Sequence, residues 1–160
     1  MLRRITLLLA AAVALLSAAP VAQADDESAY RAWVAENSTL FKLDDALDRN
    51  LDTWARSNGK RGEPALERIA KMRALLARRT KAVAAEDAST GDGGSGRKNA
   101  LANLRDWDAA LVKLRRGVRA GMAGRASAAN SYVRQYKALY DRSQRYAKRA
   151  QDAFEDAGVA

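Results

Sequence analysis

Trp33, Leu40, Leu47 and Trp54 recur every seven residues, and Tyr30, Leu43 and Leu51 fall on the same side of a helical period. This spacing predicts an amphipathic helix over roughly Ser28 to Arg56. Asn37-Ser38-Thr39 interrupts it with three residues that favour caps and turns, a weak spot where the helix kinks or restarts. A second stripe runs through Leu66, Ile69, Met72, Leu76 and Val83, opening at Pro64, which suits a first helical turn, and ending near Ala85. The third carries Leu101, Leu104, Trp107 or Asp108, Leu111, Leu114 and Val118 and stops around Gly121 to Gly124. The fourth holds Tyr132, Tyr136, Leu139, Tyr140, Tyr146, Ala150 and Phe154. No stretch alternates apolar and polar residues over the length of a strand, so the fold class is all-α.

Segments of about 23 to 31 residues span about 35 to 46 Å as helices. Matched lengths and short connections predict an up-down-up-down antiparallel four-helix bundle. Two alternatives follow from the same pattern: fusion of the last two helices into one rod through Ala123 to Ala129, or exchange of the first two between chains to give a dimer.

The first 24 residues read as an address. Arg3 and Arg4 give a short basic start, Ile5 to Leu16 is apolar but too short to span a bilayer comfortably, and Ala22-Gln23-Ala24 offers a small-x-small cleavage pattern. A Sec-type signal peptide over 1–24 is expected, with a single helical-bundle domain over 25–160. The arginine pair also fits a twin-arginine leader, but the brief start and the lack of a cofactor motif favour Sec. No cysteine follows to carry a lipid. Removing these residues and their two arginines from the 160-residue, +9 chain leaves 136 residues at +7, expected outside the cytoplasm as an extracellular, wall or periplasmic protein.

The chain has no cysteine and no histidine, which excludes disulfides, imidazole-held zinc or haem, and histidine-based triads. Stability must come from packing. With 36 Ala and 20 Arg, a single proline after the leader and only 31 large apolar or aromatic residues there, a thin alanine-rich core is expected. The Ala and Arg bias resembles that of proteins from high-GC bacteria. Neither a metal nor an organic cofactor is expected, and di-metal carboxylate bundles are excluded because their Glu-x-x-His pairs cannot be written.

Residues 88–96, Ala-Ser-Thr-Gly-Asp-Gly-Gly-Ser-Gly, read as a flexible connector. They lack the spaced oxygen ligands of a calcium loop and the Gly-Lys-Ser of a phosphate loop. Asp44, Asp48 and Asp52 form a ladder on one helix face and read as solvated acids rather than an opposed catalytic pair. Trp33, Trp54 and Trp107, and the row Tyr132, Tyr136 and Tyr140, read as core with polar edges at the boundary. Gly117-x-x-x-Gly121 lies near a helix end and reads as a cap or a fraying end in preference to a close helix contact. With no nucleophile or acid–base constellation in view, a non-catalytic protein is expected.

Charge placement is the most informative feature. Threaded alternately up and down, the helices bring residues 49–73, net +4, and residues 111–137, net +7, to one pole. The opposite pole, made by the two termini and the connector, sums to −6. An anion-binding surface is therefore assigned to Arg61, Arg68, Lys71, Arg115, Arg116, Arg119, Arg125 and Arg134, whose guanidinium forks suit phosphate and carboxylate oxygens. Expected partners are an anionic envelope component, whether wall polymer, lipid headgroup or polyphosphate, with a protein partner or head-to-tail self-association as the alternative. Sequence-specific nucleic acid is not expected. The chain is expected as a monomer or weak homo-oligomer.

Overall fold

A computed structural model describes residues 24–87 and 91–160. The leader reading therefore lies outside the described residues but for Ala24. Those residues are all-helical, without strands, and the helices pack as a bundle. A helical segment over 24–34 (α1) precedes α2 (Asn37–Arg56), α3 (Glu63–Ala85), α4 (Gly91–Met122) and α5 (Ala126–Asp156).

The weak spot in the first predicted helix is a true break. Residues 35 and 36 form a turn, Glu36 takes a left-handed φ of 59°, and a new helix starts at Asn37 without a side-chain cap. That backbone is uncommon for a side chain bearing a Cβ. The Glu36 carboxylate instead reaches across to Arg78 on α3, 3.4 Å away.

The ends of α2, α4 and α5 close by one device. A residue with positive φ follows the helix, and the next amide donates back to the carbonyl five residues earlier: Gly59 to Trp54 after α2, Arg125 to Ala120 after α4, Val159 to Phe154 after α5. Gly124, at φ 72°, thus separates α4 from α5, so the two do not fuse into a rod.

The glycine-rich stretch differs from expectation. Ala88 to Thr90 lie outside the described residues, but Gly91 onward is the start of α4 rather than a connector. Glycine disfavours helix by about 1 kcal/mol against alanine. Here the missing side chains are packing positions: the Asp26 carboxyl occupies the place of a Cβ on Gly93, and a Cβ on Gly96 would meet the Phe154 ring at 2.8 Å. Arg97, one residue on, donates to the carbonyls of Val83 and Ala84 at 3.1 and 2.8 Å and so caps the end of α3.

The core is as thin as composition predicts, with Ala29, Ala65, Ala100, Ala110 and Ala150 buried beside Leu40, Leu47, Ile69, Leu76, Leu111 and Phe154. One polar chain crosses it. Trp33 Nε1 on α1 donates to Asn103 Oδ1 on α4 at 3.1 Å, and Asn103 Nδ2 donates to the Ser143 carbonyl on α5 at 3.0 Å. Trp33 and Trp107 are buried as expected, whereas Trp54 is half-buried against Gly121. Gly117 is likewise a contact position, facing Tyr132, so this glycine pair marks close helix approach instead of fraying.

Gly96→Ala should lower stability by about 1 to 3 kcal/mol, because the fully buried Phe154 ring has no room to retreat. Gly91→Ala meets nothing within 4 Å and should be neutral or stabilising by up to about 1 kcal/mol. Urea midpoints of the two variants check the contrast.

Candidate functional site

The turn between α2 and α3 seats on the last turns of α4. A Cβ at Gly59 would lie 3.0 Å from the Gly121 carbonyl group, and one at Gly62 would strike Val118 and Met122 at 2.6 Å. Ser57 pins this turn, its hydroxyl donating to the Trp54 carbonyl at 2.8 Å and accepting from the Arg61 amide at 2.9 Å. The two cation-rich segments named from sequence thus meet at one end of the molecule.

Within that end the assigned residues are not equivalent. Arg115 and Arg119 line an open groove of about 520 Å³ whose other wall is α3, at Glu63, Pro64, Leu66, Glu67 and Ala70. Glu67 sits between Arg68 and its salt-bridge partner Lys71, 2.5 Å away, and the hydrogen bond from Lys71 holds its carboxyl below the ordinary range. Arg61 lines a second depression of about 530 Å³ with Arg56, Lys60, Thr53 and Ser57. Arg116, Arg125 and Arg134 are exposed and line neither. Among the described residues Arg61, Arg68, Arg115, Arg116, Arg119, Arg125 and Arg134 form no ion pair; Lys71 alone of the eight does. Cations along the sides of the helices are treated differently: Arg73 grips Asp108 through two hydrogen bonds of 2.7 and 3.1 Å, and Arg142 grips Asp106 in the same two-point manner.

The acidic ladder is only partly solvated. Asp48 and Asp52 are exposed, but Asp44 is half-buried against α5, where it accepts a hydrogen bond from the Tyr140 hydroxyl. Burial first, then the neighbouring Asp48 and Asp45, raise its carboxyl to about 6. Burial also pushes the Tyr140 phenol up to about 12 and that of Tyr136, stacked on it at 5.7 Å, higher still. Tyr132 packs at Gly117 and is separate from this pair.

A further feature is absent from the sequence reading. Arg79 of α3 is 4% exposed, and its Nε and Nη1 have no hydrogen-bond partner among the described residues. Trp107 Nε1 is also buried and has no hydrogen-bond partner among the described residues. Both line one cavity of about 320 Å³ walled by Trp33, Phe41 and Tyr140. The available signal was positional: Arg79 follows Leu75 and Leu76 by one turn and precedes Val83 by one turn, so it occupies a core position of the α3 stripe.

Among the described residues no three His, Cys, Asp or Glu side chains are grouped to hold a metal ion, and no helix is long and apolar enough to cross a membrane. No protein-family model, no curated protein and no solved structure matches the chain.

The folded protein holds the Asp44 proton to higher pH than the unfolded chain. Its stabilising contribution is therefore complete below about 3.8 and is lost as pH rises through about 6. Asp44→Asn should raise the melting temperature relative to the unsubstituted chain at pH 7.5 and leave it nearly unchanged at pH 3.5, as read by circular dichroism.

Proposed function

We propose that the chain is an exported, non-catalytic binding protein, an antiparallel up-down-up-down bundle freed from a cleaved leader. It engages an anionic envelope component through the Arg/Lys-rich pole. The observation that carries this reading is the set of seven arginines at that pole with no carboxylate partner among the described residues, while the flanking cations Arg73 and Arg142 are tied down. Arginines whose donors point to solvent keep their forks available to phosphate or carboxylate oxygens, and neutralising a polyanion releases its counterions. The bundle threading is supported by the order of contacts: Asn50 meets Pro64 near the α2–α3 turn while Glu36 meets Arg78 at the far ends, and Gly117 meets Tyr132 while Gly96 meets Phe154.

Head-to-tail stacking of basic on acidic poles is the weaker reading. At the acidic end, Glu27 is paired with Arg31 and Asp152 with Lys148, which removes much of the field that would attract a second molecule.

Titration of the 25–160 chain with soluble polyphosphate and with phosphatidylglycerol vesicles, at low and moderate salt, tests the proposal. Binding should weaken steeply with salt. The combined variant Arg115→Gln, Arg119→Gln, Arg125→Gln should flatten the slope of log K against log salt by about two to three. No binding at low ionic strength, or an unchanged slope in the variant, overturns the polyanion reading. Scattering that grows with protein concentration and disappears with salt supports stacking instead.

A further inference from the structure

The Arg79 cavity is independent of the basic pole. Five helices meet there: Trp33 from α1, Phe41 from α2, Arg79 from α3, Trp107 from α4 and Tyr140 from α5 surround it. A guanidinium taken out of water with unmade hydrogen bonds is among the costliest arrangements in a protein interior. Burial lowers the Arg79 pKa to about 10, so the group remains charged at neutral pH. The acid that acts on it is Glu36, whose carboxylate is spent on Arg78. Asn103, a buried amide on the wall, gives its oxygen to Trp33 and an amide hydrogen to the Ser143 carbonyl. Lys148 at the rim is held by Asp152. Three N–H donors, Nε and Nη1 of Arg79 and Nε1 of Trp107, are left with no protein acceptor among the described residues.

We infer that this cavity is a binding site for a small organic monocarboxylate with an aromatic or short aliphatic body. The Nε–Nη2 edge of a guanidinium is the one that takes a planar carboxylate with two parallel hydrogen bonds, as Arg73 does with Asp108. Nε of Arg79 has no partner among the described residues, and Nη1, on the other side of the group, adds a single further donor. The indole N–H of Trp107 supplies a neutral third donor. One positive charge matches one carboxylate, whereas a phosphate dianion would bring a second charge into a wall that holds no further free cation. Most of the remaining wall is apolar or aromatic, as in small-ligand cavities, with the neutral amides Asn37, Gln144 and Gln151 among it, Trp33 and Phe154 stacked behind the rim and Tyr140 set edge-on to Trp107 at 5.9 Å. Phe41, 58% exposed, stands at the mouth as a large hydrophobic side chain that a ligand's apolar body would cover.

Intrinsic fluorescence reports directly, because two of the three tryptophans wall the cavity; Trp54→Phe removes the third, which sits at the other end. The 25–160 chain in that background is titrated with 3-phenylpropionate and octanoate and with their uncharged amides. At least one acid should give a saturable change, bind at least about tenfold more tightly than its amide, and keep that preference at moderate salt. Arg79→Met should abolish the preference and, without ligand, melt at a higher temperature than its parent, since an unpaired buried cation has been removed. Phe41→Ala should weaken binding of acid and amide alike. If Arg79→Met does not fold, the acid against amide comparison on the parent decides. Equal binding of acid and amide, no saturable change with either acid, or a preference that survives Arg79→Met each overturns the site. A preference that vanishes with added salt also overturns it, because that behaviour belongs to the exposed arginines of the pole.

Discussion

α4 is the helix on which both α3 and α5 pack, while α2 packs chiefly on α3, and the closeness of the contacts to α4 depends on what α4 lacks. At Gly93, Gly96, Gly117 and Gly121 it has no side chain, and into those places come Asp26, Phe154, Tyr132 and Trp54. Four glycines disfavour a helix by a few kcal/mol in total relative to alanine. Burial of the rings and of α4's own apolar face offsets that cost, at about 25 cal/mol per Å² of apolar surface removed from water. Helix formation here is a consequence of assembly, which is the usual balance for helices whose intrinsic propensity is low.

Polar contacts set the register of that assembly without contributing much of its stability. Asp108 and Asp106 lie two residues apart on α4, which sends them to different faces, one to Arg73 of α3 and one to Arg142 of α5. Half-exposed pairs of this kind are worth about 1 kcal/mol or less, yet their two-point geometry tolerates little sliding. The buried Trp33, Asn103 and Ser143 chain performs the same service in the interior, where the cost of misalignment is an unmade hydrogen bond.

Arginine serves three purposes in one small molecule. On the flanks it is paired and orients helices. Around the α2–α3 turn and the end of α4, at the seven assigned positions, it is largely exposed and, unlike Lys71 beside it, without an ion pair among the described residues, so its field is screened by salt within about 10 Å. At position 79 it is desolvated, so its attraction for an anion is short-ranged, directional and nearly indifferent to salt.

Helix positions were legible because burial repeats with the period of the helix. Trp33, Leu40 and Leu47 are buried, and the cap-forming run at Asn37 marks the break one residue after it occurs. Helix lengths and turn positions were enough to expect the two cation-rich segments near each other, and the α2–α3 turn seats on the last turns of α4. Three features did not follow. Gly91 to Gly96 has the composition of a connector, and only the arrival of Asp26 and Phe154, each more than fifty residues away in sequence, makes it helix. Asp44 resembles its ladder neighbours until α5 brings Tyr140 over it and removes its water. Arg79 is one cation among many until five helices close around it. Sequence determined periodicity, charge and the chemistry on offer; tertiary structure decided which groups lost their water, because desolvation is set by neighbours distant in the chain and not by the residue itself.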